Sequence, residues 1–109
     1  MELKEQIIND ISNNKIMVFI KGTKEMPMCG FSATVVNILN MYNLDYEFTN
    51  VLEDPNIRLK LSEFSNWPTI PQLYIKEEFI GGCDIIKEMY ESGELLELFS
   101  SKGIDVKPS

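Results

Sequence analysis

The sequence of 109 residues contains no histidine. Without an imidazole, the chain lacks the usual general base, the Ser-His and Cys-His nucleophile pairs, and any metal site that histidine would ligate. Cysteine is also scarce, because the chain has only Cys29 and Cys83. Two cysteines in a chain without a secretory segment indicate a reducing compartment more than a disulfide scaffold. The chemistry that remains is that of a thiol, that of a carboxylate, or none.

Basic residues are few as well, since ten Lys and Arg stand against seventeen Asp and Glu, for a net charge of −7. The positive charges are dispersed, and a surface that neutralises phosphates needs a basic stripe, so we expect no nucleic-acid partner. Long apolar runs are absent too. No stretch approaches the roughly 20 apolar residues of a membrane span, so we expect no membrane partner.

The first six residues form neither the apolar region of a signal peptide nor an Arg-rich transit peptide. We therefore expect the protein in the cytoplasm, or in a mitochondrial or other organellar matrix if a targeting segment has been removed.

The hydrophobic pattern predicts one domain, residues 1–104, followed by a tail, residues 105–109, and we expect the end of the chain to be frayed from residue 104. The order of elements is α-β-α-β-α-β-β-α-α. The unbroken apolar run Ile16–Ile20 is typical of a central strand, and Asp54 followed by Pro55 predicts the start of a helix. A βαβ half followed by a hairpin and helices predicts a thioredoxin-like α/β fold, a four-stranded mixed sheet with helices on both faces.

Helical spacing puts Ile8, Phe31 and Phe64 on the buried faces of the first three helices. The alternating residues 46–51 predict a half-buried strand. The segments 72–75 and 78–80 predict a hairpin.

Cys29 follows the central strand and a loop, and it precedes a helical pattern. A thiol at the first turn of a helix has its thiolate stabilised by unpaired N–H groups, so we expect a lowered pKa, with Lys21 as an additional cation. Ser32 stands where a Cys-x-x-Cys motif has its second thiol. Cys29 therefore cannot close a disulfide within the motif, and the sequence predicts one-thiol chemistry.

Five blocks of the sequence, from about Ile16 to Ile104, resemble the monothiol glutaredoxins of the Cys-Gly-Phe-Ser type in order and spacing. The blocks are Lys21-Gly22-Thr23, Pro27-Met28-Cys29-Gly30-Phe31-Ser32, Asn50-Val51-Leu52, Ser65-Asn66-Trp67-Pro68-Thr69-Ile70-Pro71-Gln72 and Gly81-Gly82-Cys83-Asp84-Ile85.

The resemblance implies glutathione binding and a [2Fe–2S] cluster that two chains and two glutathiones hold together, for delivery to recipient apo iron–sulfur proteins. It implies a homodimer bridged by the cluster, or a BolA-like protein as partner. Cys29 would be the cluster ligand and the thiol that forms a mixed disulfide with glutathione.

The resemblance also assigns the residues that would hold glutathione. Lys21 and Arg58 would pair with its glycine carboxylate, Arg58 as a planar fork. Ser62 stands where some relatives have a lysine that helps to hold glutathione.

On the other side of the ligand, the main chain of Ile70, before what the family holds as a cis Pro71, would pair with the glutathione backbone like an added strand. Cys83 and Asp84, at a helix start, would receive the γ-glutamyl end. Alternatively, Cys83 could contribute only its backbone to the site, with no role for its sulfur.

A count of ligands agrees with a shared cluster, because a [2Fe–2S] cluster takes four ligands and one chain offers at most two thiols. Two function classes stay open. One is a carrier of a glutathione-ligated cluster in iron–sulfur assembly or iron sensing, and the other is a glutathione-dependent thiol–disulfide oxidoreductase with a one-cysteine mechanism. The loop Gly22–Met28 is longer than in dithiol relatives, and in the family this goes with poor reductase activity. We therefore favour the carrier, with at most a weak oxidoreductase activity.

Overall fold

A computed structural model describes residues 2–106 of the chain. The predicted order of elements is confirmed, and a single 3₁₀ turn at Val51–Glu53 is added to it. The helices are α1 (Leu3–Asn13), α2 (Gly30–Asn40), α3 (Pro55–Ser65), α4 (Cys83–Ser92) and α5 (Glu94–Ser101), and the strands are β1 (Ile16–Ile20), β2 (Glu47–Asn50), β3 (Gln72–Ile75) and β4 (Glu78–Gly81).

The four strands form one mixed sheet in the order β2-β1-β3-β4. Strands β1 and β2 are parallel because α2 connects them as a crossover, whereas β3 pairs antiparallel with both β1 and β4. Lys76 and Glu77, which join β3 to β4, both have positive φ angles, 50° and 71°. Such a two-residue turn matches the twist of the strands it joins.

The sheet has a hydrophobic core on each face, and strand β1 contributes to both. Ile16, Val18 and Ile20 pack with α2, α4 and α5, whereas Met17 and Phe19 pack with α1 and α3. Successive side chains of a strand point to opposite faces, so a strand between two helical layers must be apolar throughout. The predicted thioredoxin-like architecture is thereby confirmed.

Three of the residues expected on buried helix faces are exposed. The exposed fractions are 39% for Ile8, 62% for Phe31 and 41% for Phe64. Helix α1 buries only the narrow stripe of Ile7 and Ile11, and in the first turn of α2 the buried residue is Ser32 and not Phe31. Helical spacing therefore predicted which side of each helix faces the core, but not how many residues on that side are buried.

The expectation of a frayed C-terminal end is wrong for residues 104–106. The N–H of Ile104 donates a 2.9 Å hydrogen bond to the carbonyl of Phe99, and the side chains of Ile104 and Val106 pack against the core. Residues 107–109 lie outside the described part of the chain, and the division into a domain and a tail stays a prediction. No helix within residues 2–106 is long and apolar enough to cross a membrane.

Candidate functional site

Cys29 is the residue immediately before α2, with an extended backbone at φ −151° and ψ 139°. The loop between β1 and α2 folds back on itself through two backbone hydrogen bonds, Thr23 N–H to the Met26 carbonyl at 3.1 Å and Met28 N–H to the Lys21 carbonyl at 2.8 Å. The second bond returns the chain to the end of β1. Cys29 therefore lies beside Lys21, with the first turn of a helix directly behind it.

The pKa of Cys29 is lowered, chiefly by the backbone N–H of Ser32, and further by the N–H of Phe31, the Lys21 ammonium and the Ser32 hydroxyl, against an opposing contribution from partial burial. The thiol completes no capping hydrogen bond of full geometry, so we attribute the effect to N–H dipoles that point toward the sulfur. The predicted lowering is confirmed. The helix start contributes more to it than Lys21 does.

A groove of about 490 Å³ is lined by Lys21, Phe31 and Cys83, which all lie close enough to Cys29 to interact with it, although Cys29 itself does not line the groove. All five residues predicted to hold glutathione line it, namely Lys21, Arg58, Ile70, Cys83 and Asp84. The rest of the lining is Phe31, Trp67, Thr69, Pro71, Gly82 and Ile85. A volume of this size lies in the range of small-molecule sites. The structure thus brings together residues that the sequence separates by as many as 63 positions, from Lys21 to Asp84.

The groove combines charges of both signs with a helix start. The cations are those of Lys21 and Arg58, and the carboxylate is that of Asp84. Asp84 lies in the first turn of α4, which begins at Cys83 and packs against α2. The N–H groups of a first helical turn have no partner within their helix and favour anions. The groove is therefore suited to a ligand with two carboxylates and an ammonium group.

One wall of the groove contains Ile70, whose main-chain groups make no hydrogen bond to other loop main-chain groups of residues 2–106. The Ile70–Pro71 peptide bond is cis, as the resemblance implied. The N–H and C=O of Ile70 are thus available to a ligand that lies along the segment in an extended conformation.

Cys83 differs from Cys29 in its surroundings. Both cysteines are free thiols, but Cys83 packs against the core of the sheet. Burial, and then the neighbouring Asp84 carboxylate, raise the pKa of Cys83. Its sulfur is therefore the poorer nucleophile of the two, whereas its backbone N–H starts α4 inside the groove.

A larger depression, of about 710 Å³, lies between the loops that precede β1 and β2 and the end of α5. Its lining includes Asn13, Lys15, Asp45 and Asp105 but neither cysteine. Because the activated thiol and the gathered charges lie at the other end of the sheet, we assign the functional site to the smaller groove.

The residues 2–106 contain no group of three or more His, Cys, Asp or Glu side chains that could hold a metal ion. One chain by itself therefore has no complete metal site in its described part. A half-exposed Cys29 whose thiolate is favoured is a donor of the kind that iron–sulfur clusters use, and it supplies one ligand.

Sequence reasoning did not assign Phe31 or Thr69 to the groove, although both line it. Phe31 and Thr69 lie within the quoted blocks, so the family pattern carried a signal that residue chemistry did not. Ser62 lies on α3 but is not among the residues that line the groove.

Comparisons with known proteins identify the family of this chain. The family model described as Glutaredoxin matches residues 16–80. A monothiol glutaredoxin of Rickettsia typhi is 53% identical over 96 residues, which cover 88% of this chain and 86% of that protein. A chloroplastic monothiol glutaredoxin of Arabidopsis thaliana is 50% identical over 96 residues, 88% of this chain and 56% of that protein.

Among solved structures, a truncated monomeric 1-C-Grx1 of Trypanosoma brucei is similar at a TM-score of 0.89 and 40% identity, covering 100% of this chain and 99% of the other. The match of the family model extends over more than half of the chain. The chain therefore belongs to the glutaredoxin family and, within it, to the monothiol glutaredoxins.

Proposed function

We propose that this protein binds glutathione in the groove and that two copies, each with one glutathione, hold a [2Fe–2S] cluster for transfer to other proteins. The observation that carries the proposal is the convergence of Lys21, Arg58, Ile70, Cys83 and Asp84 on one groove beside the activated thiol of Cys29. The cluster is the cargo of the protein.

The chemistry of glutathione matches the ends of the groove. Its glycine carboxylate would pair with Lys21 and Arg58, because a guanidinium donates two parallel hydrogen bonds to a carboxylate. Its γ-glutamyl carboxylate would receive N–H groups at the start of α4, and its ammonium would pair with the Asp84 carboxylate. The peptide between them would lie along Ile70.

The count of thiolates supports a dimer. Four thiolates would come from two copies of Cys29 and two glutathione sulfurs, since each chain offers one activated thiol. The surroundings of Cys29 suit contact with a second protein surface, because Met28 and Phe31 are 63% and 62% exposed. Apolar side chains of this size are common at the centre of interfaces.

The second candidate function is a glutathione-dependent oxidoreductase, and the lowered pKa of Cys29 favours it as much as it favours the carrier. In this reaction the thiolate of Cys29 attacks the glutathione sulfur of a glutathionylated protein, and the protein thiolate leaves. A second glutathione thiolate then attacks the mixed disulfide, releasing Cys29 and oxidised glutathione. The disulfide of the substrate is the oxidant, and two glutathione equivalents leave as one disulfide.

Anaerobic reconstitution with iron, sulfide and glutathione tests the carrier function. We expect a coloured dimer with about two irons per two chains, as one [2Fe–2S] cluster requires. Cys29→Ser should abolish the colour, and omission of glutathione should prevent assembly. Cys83→Ser is the matched control and should keep most of the cluster, because Cys83 would contribute its backbone. Absorbance, iron content and elution volume are the measurements.

A colourless monomer that rapidly reduces a mixed disulfide with glutathione would favour the oxidoreductase instead. A coloured species that survives Cys29→Ser would contradict both functions, since each depends on that sulfur. The BolA-like partner, the recipient proteins and the compartment stay predictions from the sequence. Adding candidate partners to the reconstituted dimer tests the first two.

A further inference from the structure

The main chain at Lys21 and Gly22 is held by side chains from two distant segments. The N–H of Lys21 donates a 3.0 Å hydrogen bond to the hydroxyl oxygen of Ser32. The N–H of Gly22 donates a 2.9 Å hydrogen bond to the side-chain oxygen of Asn50. The Lys21 carbonyl accepts a third hydrogen bond, from the N–H of Met28. The segments of Met28, Ser32 and Asn50 thus all fix the main chain of Lys21 and Gly22.

Both acceptors are themselves fixed. Ser32 is the third residue of α2 and has no exposed surface, so its hydroxyl has no water to bond instead. The Asn50 oxygen also accepts the N–H of Leu52 at 2.9 Å, which holds the end of β2 to the 3₁₀ turn. The side chains of Ser32 and Asn50 therefore hold the end of β1 at a fixed position relative to α2 and β2.

Gly22 shows why the end of β1 needs to be held. Its φ angle is +99°, and a Cβ atom there would lie 2.5 Å from the carbonyl oxygen of Met26. Glycine loses more conformational freedom on folding than any other residue. The hydrogen bond from Asn50 restrains this permissive residue directly after Lys21, whose side chain lines the groove.

We propose that Ser32 and Asn50 are positioning residues, which aim the Lys21 ammonium at the glycine carboxylate of glutathione without contacting the ligand. The inference rests on the proposed binding of glutathione. Neither Ser32 nor Asn50 lines the groove, whereas Lys21 does. In the sequence, Ser32 was informative only as the missing second thiol, and its role here is that of an acceptor.

The test is a set of double-mutant cycles on the affinity for reduced glutathione, measured by calorimetry in a Cys29→Ser background so that no disulfide forms. Ser32→Ala and Asn50→Leu should each weaken binding about fivefold to tenfold, because a misplaced ammonium loses most of one charge-assisted hydrogen bond. Ser101→Ala is the matched control. Its hydroxyl donates a 2.9 Å hydrogen bond to the Leu98 carbonyl at an exposed position of α5, and neither residue lines the groove, so the affinity should not change.

The coupling decides between positioning and general damage. If Ser32 and Asn50 act through Lys21, either change should have little further effect once Lys21→Ala is present, but its full effect in an Asp84→Ala background, since Asp84 would pair with the opposite end of glutathione. General loosening of the fold would reduce affinity in both backgrounds alike. Ser32→Ala removes one atom, so it keeps the test valid if Asn50→Leu does not fold.

Effects that add to Lys21→Ala as fully as to Asp84→Ala would overturn the inference while glutathione still binds the parent. Failure of the parent itself to bind glutathione would overturn the proposed function, and this inference with it. The two failures are thus distinguishable in one titration series.

Discussion

The hydroxyl of Tyr74 donates a 3.0 Å hydrogen bond to the amide oxygen of Gln72 inside the sheet. Burial raises the pKa of Tyr74 to about 12, so the hydroxyl keeps its proton and stays a donor at neutral pH. The amide nitrogen of Gln72 donates to the carbonyls of Trp67 at 3.0 Å and Thr69 at 3.2 Å. A buried chain of hydrogen bonds therefore fixes the wall of the groove.

Replacement of Gln72 by leucine should destabilise the fold, because Gln72 is fully buried and its partners would lose their hydrogen bonds. Each buried polar group left unpaired costs about 1–3 kcal/mol, so we expect a loss of about 2 kcal/mol or more in the free energy of unfolding. Denaturant unfolding measures it. Gln6→Leu, at an exposed position of α1, is the control and should change stability by less than about 0.5 kcal/mol. Equal effects of the two changes would contradict the network.

The alkylation rate of Cys29 against pH should have a midpoint below the value of about 8.5 of an unperturbed cysteine. Lys21→Ala should raise the midpoint only modestly, since the N–H of Ser32 is the larger cause. Measurement in a Cys83→Ser background isolates Cys29. A midpoint at or above about 8.5 would contradict activation, and Cys83 alone, in Cys29→Ser, should react only at higher pH.

The lowered pKa of Cys29 also predicts how the free energy of unfolding depends on pH. Because the folded-state pKa of Cys29 is lowered, the unfolded chain binds the proton more tightly than the folded chain does. The contribution of the thiolate to stability should be present above the unfolded pKa and lost as pH falls through the folded pKa. The difference in unfolding free energy between Cys83→Ser and the double variant with Cys29→Ser should therefore grow as pH rises through that window.

Arg58→Ala or Asp84→Ala should each weaken glutathione binding by about 1.5–3 kcal/mol, because each removes one charge-assisted contact at one end of the ligand. Lys60→Ala is a charge-matched control on the same helix as Arg58. Its ammonium lies 3.7 Å from Glu63 on the surface, so the affinity should stay unchanged. If all three variants bind glutathione equally, the assignment of the two ends is wrong.

Gly22→Ala should destabilise the protein, because a positive φ costs a side chain about 1–2 kcal/mol and the Met26 carbonyl blocks the Cβ position. Gly30→Ala is the contrasting change, since nothing lies within 4 Å of a Cβ there and the residue is helical. It should be neutral or stabilise by up to about 1 kcal/mol. Thermal unfolding measures both, and equal losses would contradict the conformational explanation.

Local patterns in the sequence determined the elements of this fold. The run Ile16–Ile20 is typical of a strand covered on both sides, and Asp54 with Pro55 predicted the start of α3, where the Asp54 side chain accepts the N–H of Asn56. The position of Cys29 at a helix start was equally local. These features were predictable because they depend on periods and caps within a few residues.

The groove was predictable only through the family pattern. Lys21 directly follows β1, whereas Arg58 and Asp84 lie on α3 and α4, and no local rule places the three together. Their convergence follows from the strand order and from the faces on which the helices pack. For the same reason, sequence spacing put Phe31 in the core, whereas the structure exposes it at the groove and buries Ser32 in its place.

The sequence by itself therefore determined that this protein has one activated thiol, no imidazole and a mixed sheet between helices, because composition and short-range periodicity encode these properties. Only the tertiary structure decided that Cys83 packs against the core and has a raised pKa, since burial and the neighbouring Asp84 carboxylate set that pKa. The tertiary structure also decided which hydrogen bonds the side chains of Ser32 and Asn50 accept, because the donating N–H groups at the end of β1 are 11 and 28 residues away in the sequence.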